Sequence, residues 1–324
     1  MSSKAEPKAR NELIRKIEVD IRESGFPLEV EILNTCSTRN TGRLPSVRYE
    51  YLDQLREIDL VAFFETIAKE TDATPQHTLT ELIIECKKSA EKPWVFFSSS
   101  SYAFEDVACF LKYTSEFDLY FLGKQSVPLL AQIYPRIRSS HYVDPALPRC
   151  IAYYEAFKNT SAPSDIYKAI DSVITYLRYS IEARSKKRRQ FGVFSEFYLP
   201  TIVLDGCLFE ASLDGGRIQV RETSHIQVRT FHLGDIYIID VVTRNHFRKF
   251  FRQIEPFHKE ITSAISKLRF PPEFVAAVRA KWKAELNSPD REGTLTMALE
   301  EARRRTKASR KSPAAERGTS ARTS

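Results

Sequence analysis

The sequence predicts a mixed α/β domain in which helices cover a β-sheet. Segments with apolar residues at helical spacing and nearly continuous apolar runs typical of buried strands occur along the same chain. The chain has 324 residues, 42% of them hydrophobic, which is enough for a large core and excludes a disordered protein. No internal repeat is evident. We therefore expect one α/β domain over residues 9–286, after a flexible segment 1–8.

The N-terminal part predicts a helix, a strand and a loop. Residues 9–24 form an amphipathic helix whose stripe of Leu13, Ile14, Ile17 and Ile21 is expected to face the core. Ser24-Gly25 ends this helix and Pro27 cannot continue it. Residues 28–33 alternate apolar residues with glutamates and predict a half-buried strand. Residues 34–46 are polar and predict a loop.

The rest of the domain predicts further strands and helices. Strands are expected at 56–64, 79–89, 92–98 and 235–243, with a hairpin formed by 201–213 and 217–222 around the turn Asp214-Gly215-Gly216. Helices are expected at 103–114, 125–138, 164–189, 246–268 and 272–286. Ser164 is a suitable N-cap for the third of these. Phe247, Phe250, Phe251 and Phe257 are expected to form a buried helical face, and Trp94 to pack in the core.

The positive charge of the chain is concentrated at its C-terminal end. The formal net charge is +7, and residues 301–324 supply +6 of it through eight basic and two acidic residues. Residues 287–324 are poor in apolar residues and predict a basic, disordered tail. Bulk charge therefore does not show that the folded body binds nucleic acid.

Several functional classes lack their sequence signatures. No apolar run approaches the length of a membrane span, and the first ten residues are too polar for a secretory signal. The five cysteines never form a CxxC pair, which suits a reducing cytoplasm. Neither GxGxxG nor GxxxxGK[ST] occurs, and the six histidines show no zinc-ligand spacing. We expect a cytoplasmic protein without a membrane segment.

Two acidic residues stand within apolar strand segments. Asp59 lies in IDLVAFF and Glu85 in LIIECK. Buried carboxylates are costly without a partner, and two of them side by side raise one pKa strongly. A divalent cation between them removes this cost, and oxygen ligands favour Mg²⁺ or Mn²⁺. An ordinary buried ion pair with Lys87 is the structural alternative.

Lys87 completes the charged group. Because strand side chains alternate, Glu85 and Lys87 point to the same face of the sheet. The ammonium group can therefore lie beside a metal site and stabilise charge on an anionic substrate.

Asp59 followed by Glu85-Cys86-Lys87 on the next strand resembles the PD-(D/E)XK nuclease superfamily, which has the restriction-endonuclease-like fold. Over residues 9–98, the order of a helix, a strand, the Asp strand and the Glu-x-Lys strand is similar to that of the superfamily. The resemblance extends more loosely to residues 164–213, with 99–163 as a helical insertion. Ile58 stands where the superfamily has its proline. The resemblance implies a mixed sheet flanked by helices and a metal-dependent hydrolase acting on DNA, or less often RNA. It also implies that Asp59, Glu85 and the carbonyl of Cys86 bind Mg²⁺ or Mn²⁺.

The resemblance suggests further site residues. Many members carry another acid on the first helix, and Glu18 flanks the apolar stripe of the predicted helix 9–24. Arg56 adjoins the site and is a candidate phosphate contact. The basic helix end formed by Lys186, Lys187, Arg188 and Arg189 either contacts phosphate or complements the helix dipole.

Two non-enzymatic alternatives remain at this point. The first is a nucleic-acid-binding or assembly module that keeps the nuclease fold without catalysis. The second is a structural protein whose basic tail alone contacts nucleic acid. A homodimer is compatible with cleavage of two strands, and no separate sequence-reading module is visible in the sequence.

Overall fold

The computed structural model describes residues 5–68, 76–98, 147–157, 164–187, 193–232 and 235–267. These ranges contain a mixed α/β fold with four helices and one large sheet, which confirms the predicted fold class at this level. The elements, in chain order, are α1 (Ala5–Glu23), α2 (Phe26–Thr35), β1 (Gly42–Tyr51), β2 (Gln54–Ala68), β3 (Gln76–Ser98), β4 (Arg149–Glu155), α3 (Asp165–Lys187), β5 (Val193–Asp214), β6 (Arg217–Glu222), β7 (His225–His232), β8 (Asp235–Thr243) and α4 (Arg244–Ser266).

The eight strands form one mixed sheet in the order β1-β2-β3-β4-β7-β8-β5-β6. β1, β2 and β3 are an antiparallel meander, and β5 runs parallel to β3 on its other side. β3 pairs with β2 along its first half and with β4 near its end. Because β4, β7, β8 and β5 also pair in turn, these strands and β3 close into a ring.

The helices cover two separate hydrophobic cores. α2 and α4 pack on one core, which contains Leu28 and Ile32 of α2 together with the aromatic face of α4. α3 packs on the other core, where Trp94 is fully buried. The predicted roles of Trp94 and of the phenylalanine-rich face of α4 are therefore confirmed.

The predicted strand at 28–33 is wrong, because these residues lie in helix α2. Leu28 and Ile32 are buried, whereas Val30 is 54% exposed, which is the pattern of a helix with one buried face. Alternation of Leu28, Val30 and Ile32 with glutamates fits a strand equally well from sequence alone. Pro27 lies in the first turn of α2, where a missing N–H has no cost because it has no partner within the helix.

The predicted helix 9–24 is present as α1, but its predicted burial is wrong. The stripe residues are 44–58% exposed, and all side chains from Arg10 to Glu23 are exposed. Periodicity shows that a helix has an apolar face, but it does not show what covers that face. α1 also begins at Ala5, within the segment expected to be flexible.

The strand predictions hold with some changes of extent. β1 begins at Gly42, inside the predicted loop 34–46, and the strands predicted at 79–89 and 92–98 are one strand with an irregularity between Ser89 and Trp94. β4 lies in the segment predicted as an insertion and joins the sheet, and β7 has no sequence prediction.

The other described predictions are confirmed. These are the strands at 56–64 and 235–243, the helices at 164–189 and 246–268 as far as their described residues extend, and the hairpin around Gly215 and Gly216, which both have positive φ. The segments 103–114, 125–138, 272–286 and 287–324 lie outside the described residues. Among the helices that the structure describes, none has the length and hydropathy needed to cross a bilayer.

Candidate active site

Asp59 lies where β2 separates from β3. The last residue pair of the β2–β3 ladder is Leu60 opposite Ile84. Next to it, Oδ2 of Asp59 accepts a hydrogen bond of 2.7 Å from the backbone N–H of Cys86. Because an unpaired buried N–H is costly, this bond holds the Asp59 carboxylate against β3.

The strand is irregular at Asp59. Ile58 packs in the core beneath α3, whereas Leu60 packs in the core beneath α2 and α4. Residues two positions apart share a face in a regular strand, so the alternation of side chains in β2 is interrupted at Asp59. Ser46 of neighbouring β1, which lies opposite this position, has a positive φ of 45°. The acid therefore occupies a local distortion of the sheet.

Glu85 projects from β3 toward α3 and is 6% exposed. Its Oε1 accepts a hydrogen bond of 2.5 Å from Nζ of Lys87. Its Oε2 accepts one of 2.8 Å from Oγ of Ser172 in α3. The structure thus brings Glu85 and Lys87 together on one face, as the strand period predicts, and α3 supplies a hydroxyl that the sequence did not indicate.

Burial disfavours the charged forms of both carboxylates, and the charge of Asp59 adds to this effect at Glu85. Burial, with the nearby Asp59 carboxylate, raises the pKa of Glu85 to about 7. Burial also raises the pKa of Asp59, although the Cys86 N–H and the Lys87 ammonium act against this shift. The pKa of Lys87 is raised because Glu85 and Asp59 outweigh the opposing effect of burial. One ammonium therefore faces two buried acids.

Glu29 of α2 is a third acid near this group. Partial burial raises its pKa, and the charges of Asp59 and Glu57 add to the shift, while Lys87 lowers it. Glu29 is not among the predicted site residues, because the sequence predicts a strand over 28–33. Pro27 in the first turn of a helix, with Leu28 and Ile32 one turn apart, is the signal that points to it.

Glu18, the acid expected from the first helix, lies elsewhere in the arrangement. It is exposed on α1 and is not among the charges that shift the pKa of Asp59 or Glu85. Its helix approaches β3 at its C-terminal end, where the Lys88 ammonium donates a hydrogen bond of 2.7 Å to the backbone oxygen of Arg22. α2 takes the position beside the acids that the sequence analysis gave to α1.

Arg56 is engaged in contacts within the chain. Its Nη1 forms an ion pair of 2.8 Å with Asp171 of α3, and its Nη2 donates to Gln54. His232 contacts the other oxygen of Asp171 at 3.0 Å. Asp171 adjoins Ser172, so Arg56 lies on the same side of the sheet as Glu85, with its guanidinium held by α3.

The proposed basic patch is described only in part. Lys186 and Lys187 are the last residues of α3, but their side chains are outside the described part of the structure. Arg188 and Arg189 lie outside the described residues altogether.

The oxygen donors here are of the type that Mg²⁺ and Mn²⁺ prefer. They are the carboxylates of Asp59 on β2 and Glu85 on β3 and the backbone carbonyl of Cys86, which follows Glu85 in β3. No group of three or more His, Cys, Asp or Glu side chains has metal-binding geometry within the described ranges. Glu85 instead has each carboxylate oxygen bonded, one to Lys87 and one to Ser172.

No protein-family model, curated protein or solved structure matches this chain. The functional conclusion therefore depends on the residues and the geometry described above.

Proposed function

We propose that this chain is a divalent-metal-dependent nuclease of the PD-(D/E)XK type that hydrolyses phosphodiester bonds in DNA. The observation that carries the proposal is the meeting of Asp59, Glu85 and Lys87 at the point where β2 and β3 separate. Buried charges at a sheet irregularity cost stability, and proteins keep such arrangements mainly where they serve a function.

The order of elements also supports the proposal. The chain order is a helix (α2), an antiparallel meander (β1, β2, β3), the additional strand β4, a crossover helix (α3) and a strand parallel to β3 (β5), with helices on both faces of the sheet. This order resembles the core of the restriction-endonuclease-like fold. The Asp is on the second strand of the meander and the Glu-x-Lys on the third, as in the superfamily.

The donor set fits a divalent cation. Burial raises the pKa values of Asp59 and Glu85, and the charge of Asp59 adds to the shift at Glu85, so a cation that binds both carboxylates stabilises their charged forms. Asp59, Glu85 and the carbonyl of Cys86 would hold Mg²⁺ or Mn²⁺, and Glu29 adds negative charge from α2. A bound cation supplies Lewis acidity for phosphodiester hydrolysis.

Lys87 provides the positive charge that the substrate needs. In hydrolysis, the water oxygen forms a bond to phosphorus, the bond to the leaving sugar oxygen breaks, and negative charge builds on the phosphoryl oxygens. The Lys87 ammonium, which keeps its proton because of Glu85 and Asp59, stabilises this charge. For this role its Nζ exchanges the Glu85 oxygen for a phosphate oxygen.

The test is a cleavage assay with the purified full chain. Supercoiled plasmid, single-stranded DNA, duplex DNA and RNA are incubated with Mg²⁺, Mn²⁺ or EDTA, for wild type and for Glu85→Ala and Lys87→Ala. We expect cleavage of DNA that requires the cation and is lost in both variants. Absence of metal-dependent cleavage of every substrate would refute the proposal, and cleavage by either variant at the wild-type rate would refute the site.

A second candidate is a non-catalytic nucleic-acid-binding or assembly module that keeps this fold. It is favoured by one observation, the satisfaction of both Glu85 oxygens by Lys87 and Ser172, which leaves the carboxylate internally bonded. This candidate predicts DNA binding that is the same in Mg²⁺ and EDTA, without cleavage. Deletion of 287–324 then shows whether the body or the basic tail is responsible for binding.

A further inference from the structure

α1 presents an apolar face that the described part of the structure does not cover. Leu13, Ile14, Ile17 and Ile21 are each 44–58% exposed. The helix meets the rest of the described residues near its C-terminal end, at α2 and at the hydrogen bond from Lys88. A helix in a folded protein gains most of its stability from packing its apolar face against another element, so this face requires a partner.

The face has the spacing of a helix-pairing seam. Arg10, Ile14, Ile17 and Ile21 follow one another at intervals of four, three and four residues, which places them in one line along α1. Leu13 widens this seam on one side. Val19 lies on the opposite side of the helix and is itself 52% exposed.

The charges of α1 are divided between its two halves. Residues 10–16 carry a formal net charge of +2 and residues 17–23 carry −2. Arg10 stands within the seam, whereas Glu18 and Asp20 flank it near the other end. Antiparallel pairing of two copies brings Arg10 toward the partner's acidic half, while parallel pairing places the two Arg10 side chains against each other.

The same charges disfavour a lipid surface as the partner. Helices that lie on anionic membranes carry an excess of Lys and Arg on the polar face. The segment 10–23 has four basic and four acidic residues, which leaves it without net attraction to anionic headgroups.

From these observations we propose that two copies of the chain associate through antiparallel pairing of their α1 helices, with the Arg10–Ile14–Ile17–Ile21 seam as the contact. The two apolar stripes cover each other, and the basic half of each helix faces the acidic half of the other. This inference is independent of the nuclease proposal, since it uses none of the residues of the candidate active site.

The test is sedimentation velocity over a concentration series, with a matched pair of variants. Ile17→Glu places a charge in the seam, and Val19→Glu makes the same substitution type on the opposite face of the same exposed helix. We expect wild type and Val19→Glu to dimerise alike, and Ile17→Glu to raise the dimer dissociation constant by at least about tenfold. Circular dichroism confirms that both variants remain folded.

Charge exchange tests the antiparallel orientation. Arg10→Glu is expected to weaken the dimer, and Arg10→Glu combined with Glu18→Lys and Asp20→Lys is expected to restore it. Failure of this rescue would overturn the orientation.

Two outcomes would overturn the self-association proposal itself. They are a monomeric wild type at every concentration and equal effects of Ile17→Glu and Val19→Glu on dimerisation. If the wild type is monomeric and Ile17→Glu lowers its thermal stability, the face belongs to another segment of the same chain. Binding of a monomeric wild type to phosphatidylserine vesicles would assign it to lipid instead.

Discussion

The hydroxyl of Ser172 on α3 donates a hydrogen bond of 2.8 Å to Oε2 of Glu85 on β3. The same two elements repeat this contact four residues earlier in β3, where Ser180 donates to Glu81 at 3.2 Å. Both glutamates are buried on the α3 face of β3. Glu85 lies beside Asp59 and Lys87, whereas Glu81 pairs across the ladder with Phe63. The chain therefore contains its own control for the role of Glu85.

The Asp59 carboxylate is expected to stabilise the strand junction through its side-chain oxygen, separately from its proposed role in metal binding. Asp59→Asn keeps a side-chain oxygen for the Cys86 N–H, so the free energy of unfolding should change little, by roughly 0.5 kcal/mol. Asp59→Ala leaves that buried N–H without an acceptor and should cost about 1–3 kcal/mol. Urea denaturation measures both. Equal stability of the two variants would show that the Asp59–Cys86 bond does not support the strand junction.

Metal affinity should depend on α2 and not on α1. Glu29→Gln removes a charge that acts on Asp59, and we expect it to weaken Mn²⁺ binding by about tenfold. Glu18→Gln is the matched control, since Glu18 is exposed on α1, and it should leave the affinity unchanged. Electron paramagnetic resonance of free Mn²⁺ gives both dissociation constants. The reverse order of effects would restore Glu18 as the third acid.

The Arg56–Asp171 ion pair should contribute to stability. Both side chains are about 30% exposed, so Arg56→Ala removes one ion-pair partner of the partly buried Asp171 and leaves it with His232, at a cost of about 1–3 kcal/mol. Arg48 forms an exposed pair with Glu57 on the neighbouring strands, and Arg48→Ala should cost about 0–1 kcal/mol. Thermal denaturation together with DNA-binding titrations distinguishes a structural role of Arg56 from a phosphate contact. A loss of DNA affinity in Arg56→Ala at unchanged stability would make Arg56 a phosphate contact.

Stability should fall at acid pH because of His258. Burial lowers the pKa of its imidazole from 6.5 to about 4, with Glu255 opposing the shift and Lys259 and His77 adding to it. Both ring nitrogens hydrogen-bond to threonine hydroxyls, those of Thr66 and Thr80. The folded state therefore favours neutral His258, and its contribution is complete above pH 6.5 and decreases as the pH falls toward 4.

The size of this effect follows from the pKa difference. Between pH 6.5 and pH 4 the unfolded chain takes up the proton and the folded chain does not, which lowers the free energy of unfolding by about 3 kcal/mol. Urea denaturation of wild type and His258→Gln at both pH values measures it. The stability difference between them should shrink as the pH falls, and a constant difference would contradict the assignment.

The grouping of Asp59, Glu85 and Lys87 was predictable because the three charged residues break an apolar pattern. Asp59 and Glu85 stand in segments that are otherwise apolar, and the strand period places Lys87 on the face of Glu85. The contribution of α3 was not predictable, because the contact of Ser172 with Glu85 joins residues 87 positions apart. Only the packing of α3 on the sheet brings them together.

The helix errors have a common physical cause. Residues 28–33 satisfy both the strand period and the helix period, and tertiary packing of Leu28 and Ile32 decides for the helix. In α1 the helix period was clear, but the apolar face at Ile14 and Ile17 is exposed in the described structure. Periodicity in one segment carries no information about which element, or which molecule, packs against it.

The proposed active site is best tested by the rate of Mg²⁺-dependent DNA cleavage in two variants, Glu85→Gln and Glu81→Gln. Both substitutions replace a buried β3 glutamate, hydrogen-bonded to a serine of α3, by its neutral isostere. We expect Glu81→Gln to cleave at nearly the wild-type rate and Glu85→Gln to cleave at least about a hundredfold more slowly. Equal cleavage rates in the two variants, whether at the wild-type level or equally reduced, would contradict a metal-dependent active site at Asp59, Glu85 and Lys87.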